Sequence, residues 1–423
     1  MPLTDPRILK RIETSSRRAT METRCYELKI QENKLSITQK DKLLSYFSQA
    51  KWLCNDALNS LDTYDFKTKQ ATVKWTKDDI EHTEFKQLAL PSQIKQALLA
   101  KMKIDIVNLA KKKKKGYKVG KLKFKKQVDC IPLVQYKTTW KFGDKKKIHI
   151  AGIGYVNVNG KDQLTNDIQE YGPAKLLRKP DGLFIQITCF KDKIPAIIPP
   201  QEVIGLDFGI KDDITLSTGE KLNFKVPIPK SLKRCNRKLS KRAPSSNNRR
   251  KQLRKLKKQY QKLTNIKNDK TNKFVSRLKN EYKTIIIQDE NIKGWHAGLF
   301  GKQVQQSCLG RIKSKLEKLS TTLVIDRFEP TTQLCPLCGK KNKLSLSERY
   351  YRCSCGFEEA RDIKAARTIV VLGLVRHKSR VPTERRDFKP VEIEASTISE
   401  KYKLLFGDGK SLIVEAGSLL SLS

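Results

Sequence analysis

Histidine is nearly absent: the 423 residues hold four, His82, His149, His296 and His377. So few imidazoles exclude chemistry that needs several, such as His-Asn-His strand cleavage or phosphotransfer through a histidine pair. Acidic residues are scarce beside basic ones, 44 Asp plus Glu against 88 Lys plus Arg, for a formal net charge of +44. Long apolar runs are missing too. The longest, Ile369 to Val375, falls far short of the ~20 residues of a membrane-spanning helix. Met1 to Arg24 is charged throughout and lacks a signal-peptide core, so the expectation is a cytoplasmic protein.

A charge excess this large makes a compact chain repel itself, and a polyanionic partner offsets it. Nucleic acid is the first candidate and an acidic membrane surface the competitor. The length suggests roughly two to three domains. Six of the ten cysteines (Cys25, Cys54, Cys130, Cys189, Cys235 and Cys308) stand singly and read as buried reduced thiols. The other four lie close together as Cys335-Pro-Leu-Cys338 and Cys353-Ser-Cys355, with Gly339 and Gly356 after the pairs for tight turns. Two such pairs can place four thiolates around one structural Zn²⁺, leaving no open position for a catalytic water. Two disulfides are the rival reading.

Tyr26, Leu28 and Ile30 alternate with polar residues, which predicts a strand. Helical spacing of Leu44, Phe47, Leu53, Ala57, Leu58 and Leu61 predicts a helix over Asp41 to Leu61. A second helix follows Pro91-Ser92, with a core stripe of Ile94, Leu98, Met102, Ile106 and Leu109, and stops at Lys111 to Lys115 and Gly116. The lysines there are either a solvated helix tail or a contact. Tyr117, Lys118, Lys121, Lys123, Phe124 and Lys125 continue Lys113, Lys114 and Lys115 with interleaved rings, and that pattern favours nucleic acid. Short alternating runs between Val128 and Phe190 predict a small barrel or sheet, and Ile194 to Pro200 a stiff linker. Residues 230–279 carry 20 Lys plus Arg and one acid, Asp269. Within them Pro244 to Arg250 reads as a turn and cap before a long helix. One sign over fifty residues exceeds what a solvated face requires, so polyanion binding is expected. Beyond Arg380 the chain is milder in charge and without period, and is expected to be partly ordered at best.

Three acids stand out by position. Asp207 ends the apolar run Val203-Ile-Gly-Leu, ahead of Gly209, which would let a ligand approach the backbone, and of a hairpin over Ile214 to Leu222. Asp289 and Glu290 end Thr284-Ile-Ile-Ile-Gln. Asp362 opens a helix just after the cysteines. Each alone reads equally as a cap or a lysine partner. Together they describe a ribonuclease-H-like arrangement in which carboxylates from two strands and a helix converge on two Mg²⁺ ions, which suit hard oxygen ligands. Two ions ~4 Å apart can clamp the attacking water and the leaving oxygen of a phosphodiester.

On these residues the chain resembles the transposon-encoded TnpB nucleases and their relatives, the compact type V CRISPR effectors. The resemblance rests on Gly205-Leu-Asp-Phe-Gly-Ile-Lys211, Ser246-Asn-Asn-Arg-Arg-Lys251, Ile287 to Gly294, Thr331 to Gly339, Cys353 to Gly356 and Arg361 to Ala366, and more weakly on Lys113 to Lys125. It implies an α/β multidomain protein. A wedge β-barrel (1–36 and 116–199, linker included) is interrupted by a helical recognition region (37–115). A RuvC nuclease domain (200–330 and the final helix 361–380) carries an inserted zinc-binding element (331–360), and a tail follows (381–423). It implies Asp207, Glu290 and Asp362 as catalytic magnesium ligands, Cys335, Cys338, Cys353 and Cys355 as zinc ligands, and Asn248, Arg249, Arg250 and Lys251 among the nucleic-acid contacts. Two positions depart from the pattern. Gapless alignment puts Gln288 where the family carries its catalytic Glu. Glu290, which strand alternation would turn to the same face, is then the expected ligand, with Asp289 the substitute. Lys364 stands where the family more often has Asn. The second cysteine pair is also CxC rather than CxxC.

The resemblance implies an RNA-guided double-stranded DNA endonuclease of prokaryotic cytoplasm, acting at the nucleoid. Guide RNA would lie in a basic channel, with target DNA chosen by pairing after the protein reads a short flanking motif. A nuclease-dead, guide-directed repressor is the alternative, weighed against by Asp207 and Asp362. A transposase acting without RNA, which also uses three acids, and a plain single-strand binder are the remaining rivals.

Overall fold

A computed structural model describes residues 6–58, 64–65, 67–77, 80–120, 122–193, 198–345, 348–378 and 395–407. The chain divides into two compact units, Met1–Ala196 and Ile197–Ser423. Lys121 and most of the linker run Ile194 to Pro200 lie outside the described residues, as do Leu61 and 379–394.

The first unit opens with helix α1 (Pro6–Thr20) and strand β1 (Glu22–Ile30), then α2 (Ile37–Asp56). Ser36 caps α2 by accepting from the Gln39 N–H, and the Gln39 side chain reaches back to the Ser36 N–H. The buried face of α2 is Leu43, Tyr46, Phe47, Ala50, Leu53 and Cys54. Leu44, expected inside, is 50% exposed. Two adjacent leucines satisfy the same helical period, so spacing alone cannot choose between them.

A hairpin the sequence does not signal follows, β2 (Gln70–Lys77) paired with β3 (Ile80–Gln87). Helix α3 (Ser92–Lys114) buries Ile94, Leu98, Leu99 and Met102. Past Met102 its stripe no longer meets a core: Ile104 and Val107 are exposed, Ile106 and Leu109 only half-buried. Gly116, at φ +78°, then ends it in the left-handed conformation.

Strands β4 (Cys130–Leu133), β5 (Trp140–Phe142), β6 (Lys147–Ile150), β7 (Gly154–Asn159), β8 (Ile168–Lys179) and β9 (Gly182–Lys191) complete a seven-stranded antiparallel sheet, β4-β8-β9-β1-β7-β6-β5. Alternation sends Leu28, Ile30, Val156, Val158, Ile185 and Ile187 into one core with α2 and α3.

The second unit is built on a five-stranded mixed sheet. Its strands are β10 (Gln201–Phe208), β11 (Ile214–Leu216), β12 (Lys221–Leu222), β13 (Tyr282–Gln288) and β14 (Thr322–Ile325), in the order β12-β11-β10-β13-β14. β10 pairs antiparallel with β11 and parallel with β13, which pairs parallel with β14. Between β12 and β13 lie α4 (Lys230–Ser240) and the 35-residue α5 (Asn247–Glu281), whose cap Ser246 accepts from the Arg249 N–H. Short helices α6 (Ile292–Ala297), α7 (Gly301–Gln306) and α8 (Leu309–Leu316) connect β13 to β14. A small hairpin, β15 (Tyr350–Arg352) with β16 (Glu358–Ala360), leads into α9 (Arg361–Lys378). The last described element is α10 (Ala395–Phe406). Its Ile398 and Tyr402 are buried in the core that also holds α9. This corrects the expectation of a tail without period: the apolar residues recur at helical spacing, in only three turns.

Helix α9 lies very close to β10. A Cβ on Gly205 would sit 2.3 Å from the carbonyl oxygen of Ala366, and one on Gly373 would meet Ile286 at 2.5 Å. A backbone carbonyl cannot step aside, so glycine at 205 is what allows this approach.

Candidate active site

The close approach of α9 to β10 sets the first two acids side by side. Asp207 is two residues past Gly205 and so on the same strand face. Asp362 is four residues before Ala366 and so on the same helix face. Asp207 is half-buried, its backbone paired opposite Thr215. Burial, and then the charges of Asp362 and Glu290, push its carboxyl up to about 8, against the weaker opposition of Arg361 and Lys364. The three acids therefore lie within one electrostatic neighbourhood at the C-terminal ends of β10 and β13. Gly209 has a different role from the one expected: its N–H bonds to the Asp213 carbonyl at 3.1 Å, and a Cβ there would strike the Asp212 carbonyl. It closes a turn.

Neighbouring residues 288 to 290 have three separate fates. Gln288 is buried, and its carboxamide nitrogen donates to the carbonyls of Asp326 (3.1 Å), Arg327 (3.3 Å) and Glu329 (2.9 Å). A carboxylate has no hydrogen to give those oxygens, which accounts for an amide at this position. Asp289 is held by Lys313 and Arg327, whose hydrogen bonds keep its carboxyl below the usual range. Glu290 has its carboxyl raised by burial and adds to the charge felt by Asp207. The premise of strand alternation does not hold, because β13 stops at Gln288. Glu290 is turned instead by its own N–H, which bonds back to the Gln288 carbonyl at 2.8 Å, while Lys313 donates to the Glu290 carbonyl at 2.8 Å. Lys313 and Arg327 have no signal in the sequence, since each comes from a segment distant in the chain.

The four clustered cysteines converge. Sγ of Cys335 lies 3.7 Å from that of Cys355, and Sγ of Cys338 lies 3.4 Å from that of Cys353. A disulfide would require about 2.05 Å, so the rival reading fails. Sulfurs ~2.3 Å from a tetrahedral zinc stand just under ~4 Å apart, and all four fall within 4.8 Å of one another. Cys335 and Cys353 are buried, and Gly339 and Gly356 both adopt positive φ in the turns after the pairs. Among the described residues this is the one grouping of three or more His, Cys, Asp or Glu side chains drawn together enough to hold one ion. Asp207, Glu290 and Asp362 are near enough to repel but do not close to that degree.

The basic segments are exposed. Lys113, Lys114, Lys115, Tyr117, Lys118, Lys123 and Phe124 face solvent, Tyr117 at 66% and Phe124 at 65%. Lys125 is half-buried, and its backbone is tied to Asn55 of α2 at both N–H (2.8 Å) and carbonyl (3.1 Å). In the second unit Asn248, Arg250 and Lys251 are exposed, whereas Arg249 donates to the carbonyls of Leu239 and Arg242 at the end of α4. No helix among the described residues is long and apolar enough to cross a membrane.

Two family models match this chain: OrfB_IS605, described as a probable transposase, over residues 186–296, and the Cas12f1-like TNB domain over residues 308–369. A putative RNA-guided DNA endonuclease of Streptomyces pristinaespiralis is 31% identical over 201 residues, 45% of this chain and 50% of that protein. The putative RNA-guided DNA endonuclease InsQ of Escherichia coli K12 is 24% identical over 257 residues, 54% of this chain and 63% of its own length. The chain thus spans between half and two thirds of these relatives. A cryo-EM structure of a Cas12f1–sgRNA–target DNA complex aligns over 82% of this chain and 98% of its own, at TM-score 0.39 and 11% identity. A likeness that slight does not bear on the fold.

Proposed function

We propose that the chain, which two family models match over residues 186–296 and 308–369, is a member of the family of TnpB nucleases and compact type V effectors and an RNA-guided endonuclease of double-stranded DNA, with one RuvC-type site. The observation that carries this reading is the pairing of Asp207 with Asp362 across the Gly205 contact, with Glu290 close enough to raise the Asp207 carboxyl further. Hard carboxylate oxygens suit divalent cations, and Asp207, Glu290 and Asp362 would hold magnesium. Bound there, magnesium supplies an activated water and neutralises the leaving oxygen of a phosphodiester.

The chain's own groups do the rest. Burial and the charges of Asp362 and Glu290 push the Asp207 carboxyl up to about 8, so a cation held there would have its proton to displace. Lys313 and Arg327 hold Asp289 in ion pairs, which would leave Glu290 as the acid of this turn available to a cation. The four thiols would hold one structural zinc and take no part in the cut. Lys113 to Lys125 and the basic faces of α4 and α5 would bind guide RNA and its DNA hybrid by backbone charge, so that pairing selects the target once a short flanking motif is read. The non-target strand would be cut first and the target strand second.

Cleavage of a guide-matched plasmid tests the reading. Asp207→Ala should abolish magnesium-dependent cutting, by more than the ~10–100-fold that an outer-shell partner of a metal costs, and leave guide and target binding nearly intact. Equal loss of binding and cutting would sink this assignment.

A further inference from the structure

Three buried polar residues, hydrogen-bonded to one another, join the segments that carry the acids. Gln288, at the end of β13, accepts from the Thr331 hydroxyl at 3.0 Å while its nitrogen holds the carbonyls of Asp326, Arg327 and Glu329. The Thr331 carbonyl accepts from the Lys364 ammonium at 2.9 Å. Lys364 belongs to α9, two residues after Asp362, and its ammonium lies 4.1 Å from the centre of the Tyr351 ring, next to the thiol cluster. Tyr351 donates in turn to the Gln333 carbonyl at 3.1 Å, two residues before Cys335. Lys364 is fully buried, Gln288 and Thr331 each 3% exposed.

A lysine in such a place gives up its hydration, and is held by a carbonyl, an aromatic face and the charges of Glu359 and Asp207 nearby. Removing the Thr331 hydroxyl would leave the Gln288 oxygen without its partner in a place water does not reach. The two positions at which the sequence departs from the family pattern, Gln288 and Lys364, bond to the same residue.

We propose that Gln288, Thr331 and Lys364 form one buried brace that fixes the Glu290 turn and the Asp362 helix to the cysteine element. They act as positioning residues for the three acids. The brace itself stands on the hydrogen bonds. Its consequence for cutting rests on the function proposed above.

The test is Thr331→Val, which removes one hydroxyl at nearly constant shape, with Thr331→Ser as the conservative rescue. The reporters are the amides of Asp289 and Glu290, bonded at 3.0 and 2.8 Å to the carbonyls of Ile325 and Gln288. In the full chain, hydrogen exchange at these two amides should quicken by about tenfold or more in the valine variant while β10 and β11 are unchanged. The magnesium concentration for half-maximal cutting should rise about tenfold, and serine should restore both. Unchanged exchange overturns the brace. Faster exchange with an unchanged magnesium requirement overturns the positioning role, leaving only a structural one. Should the valine variant not fold, Lys364→Met breaks the chain of bonds from its other end and is read by exchange, since its charge also acts on Asp207 directly; unchanged exchange again overturns the brace. A wild-type protein that cuts no guide-matched DNA overturns the proposed function, and exchange then decides the brace alone.

Discussion

The two units handle polar groups in opposite ways. Among the described residues the first buries three polar or charged side chains, Gln49, Lys95 and Thr139, and the second buries eleven, including Asp213, Lys267, Gln288, Thr331 and Lys364. Apart from Lys95, the charge described for the first unit's α3 and the segment after it lies at the surface, over a core of aliphatic and aromatic residues. The second brings carboxylates to the end of a sheet where burial raises Asp207 to about 8. Buried polarity costs stability unless each group is satisfied, and it is concentrated in the second unit, where the proposed chemistry would be carried out.

If that contrast is right, the largest effects of substitution belong to the second unit and fall on cutting. Neighbouring acids give the sharpest case. Glu290→Gln should lower magnesium-dependent cutting more than about 100-fold, beyond the range for an outer-shell partner, while Asp289→Asn should cost about tenfold. The asparagine still reaches Lys313 and Arg327, whereas the glutamine takes a charge from the group facing Asp207. Cleavage rates at saturating guide and magnesium read the difference, and the reverse order would make Asp289 the ligand.

A packing contrast follows at smaller scale. Gly205→Ala forces a Cβ onto the Ala366 carbonyl and should destabilise the second unit by about 1–3 kcal/mol, as overpacking does. In the first unit a Cβ on Gly120 meets nothing within 4 Å, so Gly120→Ala should stay within about 0.5 kcal/mol of wild type. Urea midpoints of the two variants compare them, and equal effects would remove the close approach of α9 as the reason for glycine.

The pH dependence separates the units again. Asp207 releases its proton near pH 4 when unfolded but at about 8 in the metal-free fold. Between these values the native state binds more protons than the unfolded state, so stability falls as pH rises through the window and levels off above it. Glu290, also raised by burial, works in the same direction. Asp289, lowered by its partners, acts below this window. Lys364, whose ammonium burial pushes down to about 7, works against Asp207 and Glu290 above pH 7. Magnesium should offset the loss. Chemical denaturation from pH 4 to 9, with and without magnesium, checks this, and a metal-free stability that rises to pH 8 would contradict it.

What could be read from the chain alone follows the reach of each interaction. The thiol cluster is legible because two close cysteine pairs with glycines after them report local turns. Ser246 and the long helix behind it are legible for the same reason. The acids are legible as strand ends and a helix start, but nothing in the spacing says that Gly205 lets α9 close over β10. The choice of Glu290 over Asp289 depends on Lys313, Arg327 and a turn beyond the strand, none of which a period reveals. The β2–β3 hairpin is flanked by polar residues without a strong turn pair, and α10 is too short for its stripe to stand out. The stripe on α3 is regular for longer than the core it meets, so spacing overstates its burial.

The smallest effects should come from the first unit and fall on binding. Replacing Lys113, Lys114 and Lys115 by glutamine removes three exposed charges. If they contact single-stranded guide, the dependence of log affinity on log salt should flatten by about 2, near 0.7 per phosphate lost. Tyr117→Ala and Phe124→Ala should instead weaken binding by about 1–3 kcal/mol for each stacked base and leave the salt slope unaltered. In all of these variants the cutting rate at saturating guide and target should match wild type, because no acid or brace residue is touched. A changed rate at saturation, or aromatic variants that alter the salt slope, would mean that this basic segment does more than bind.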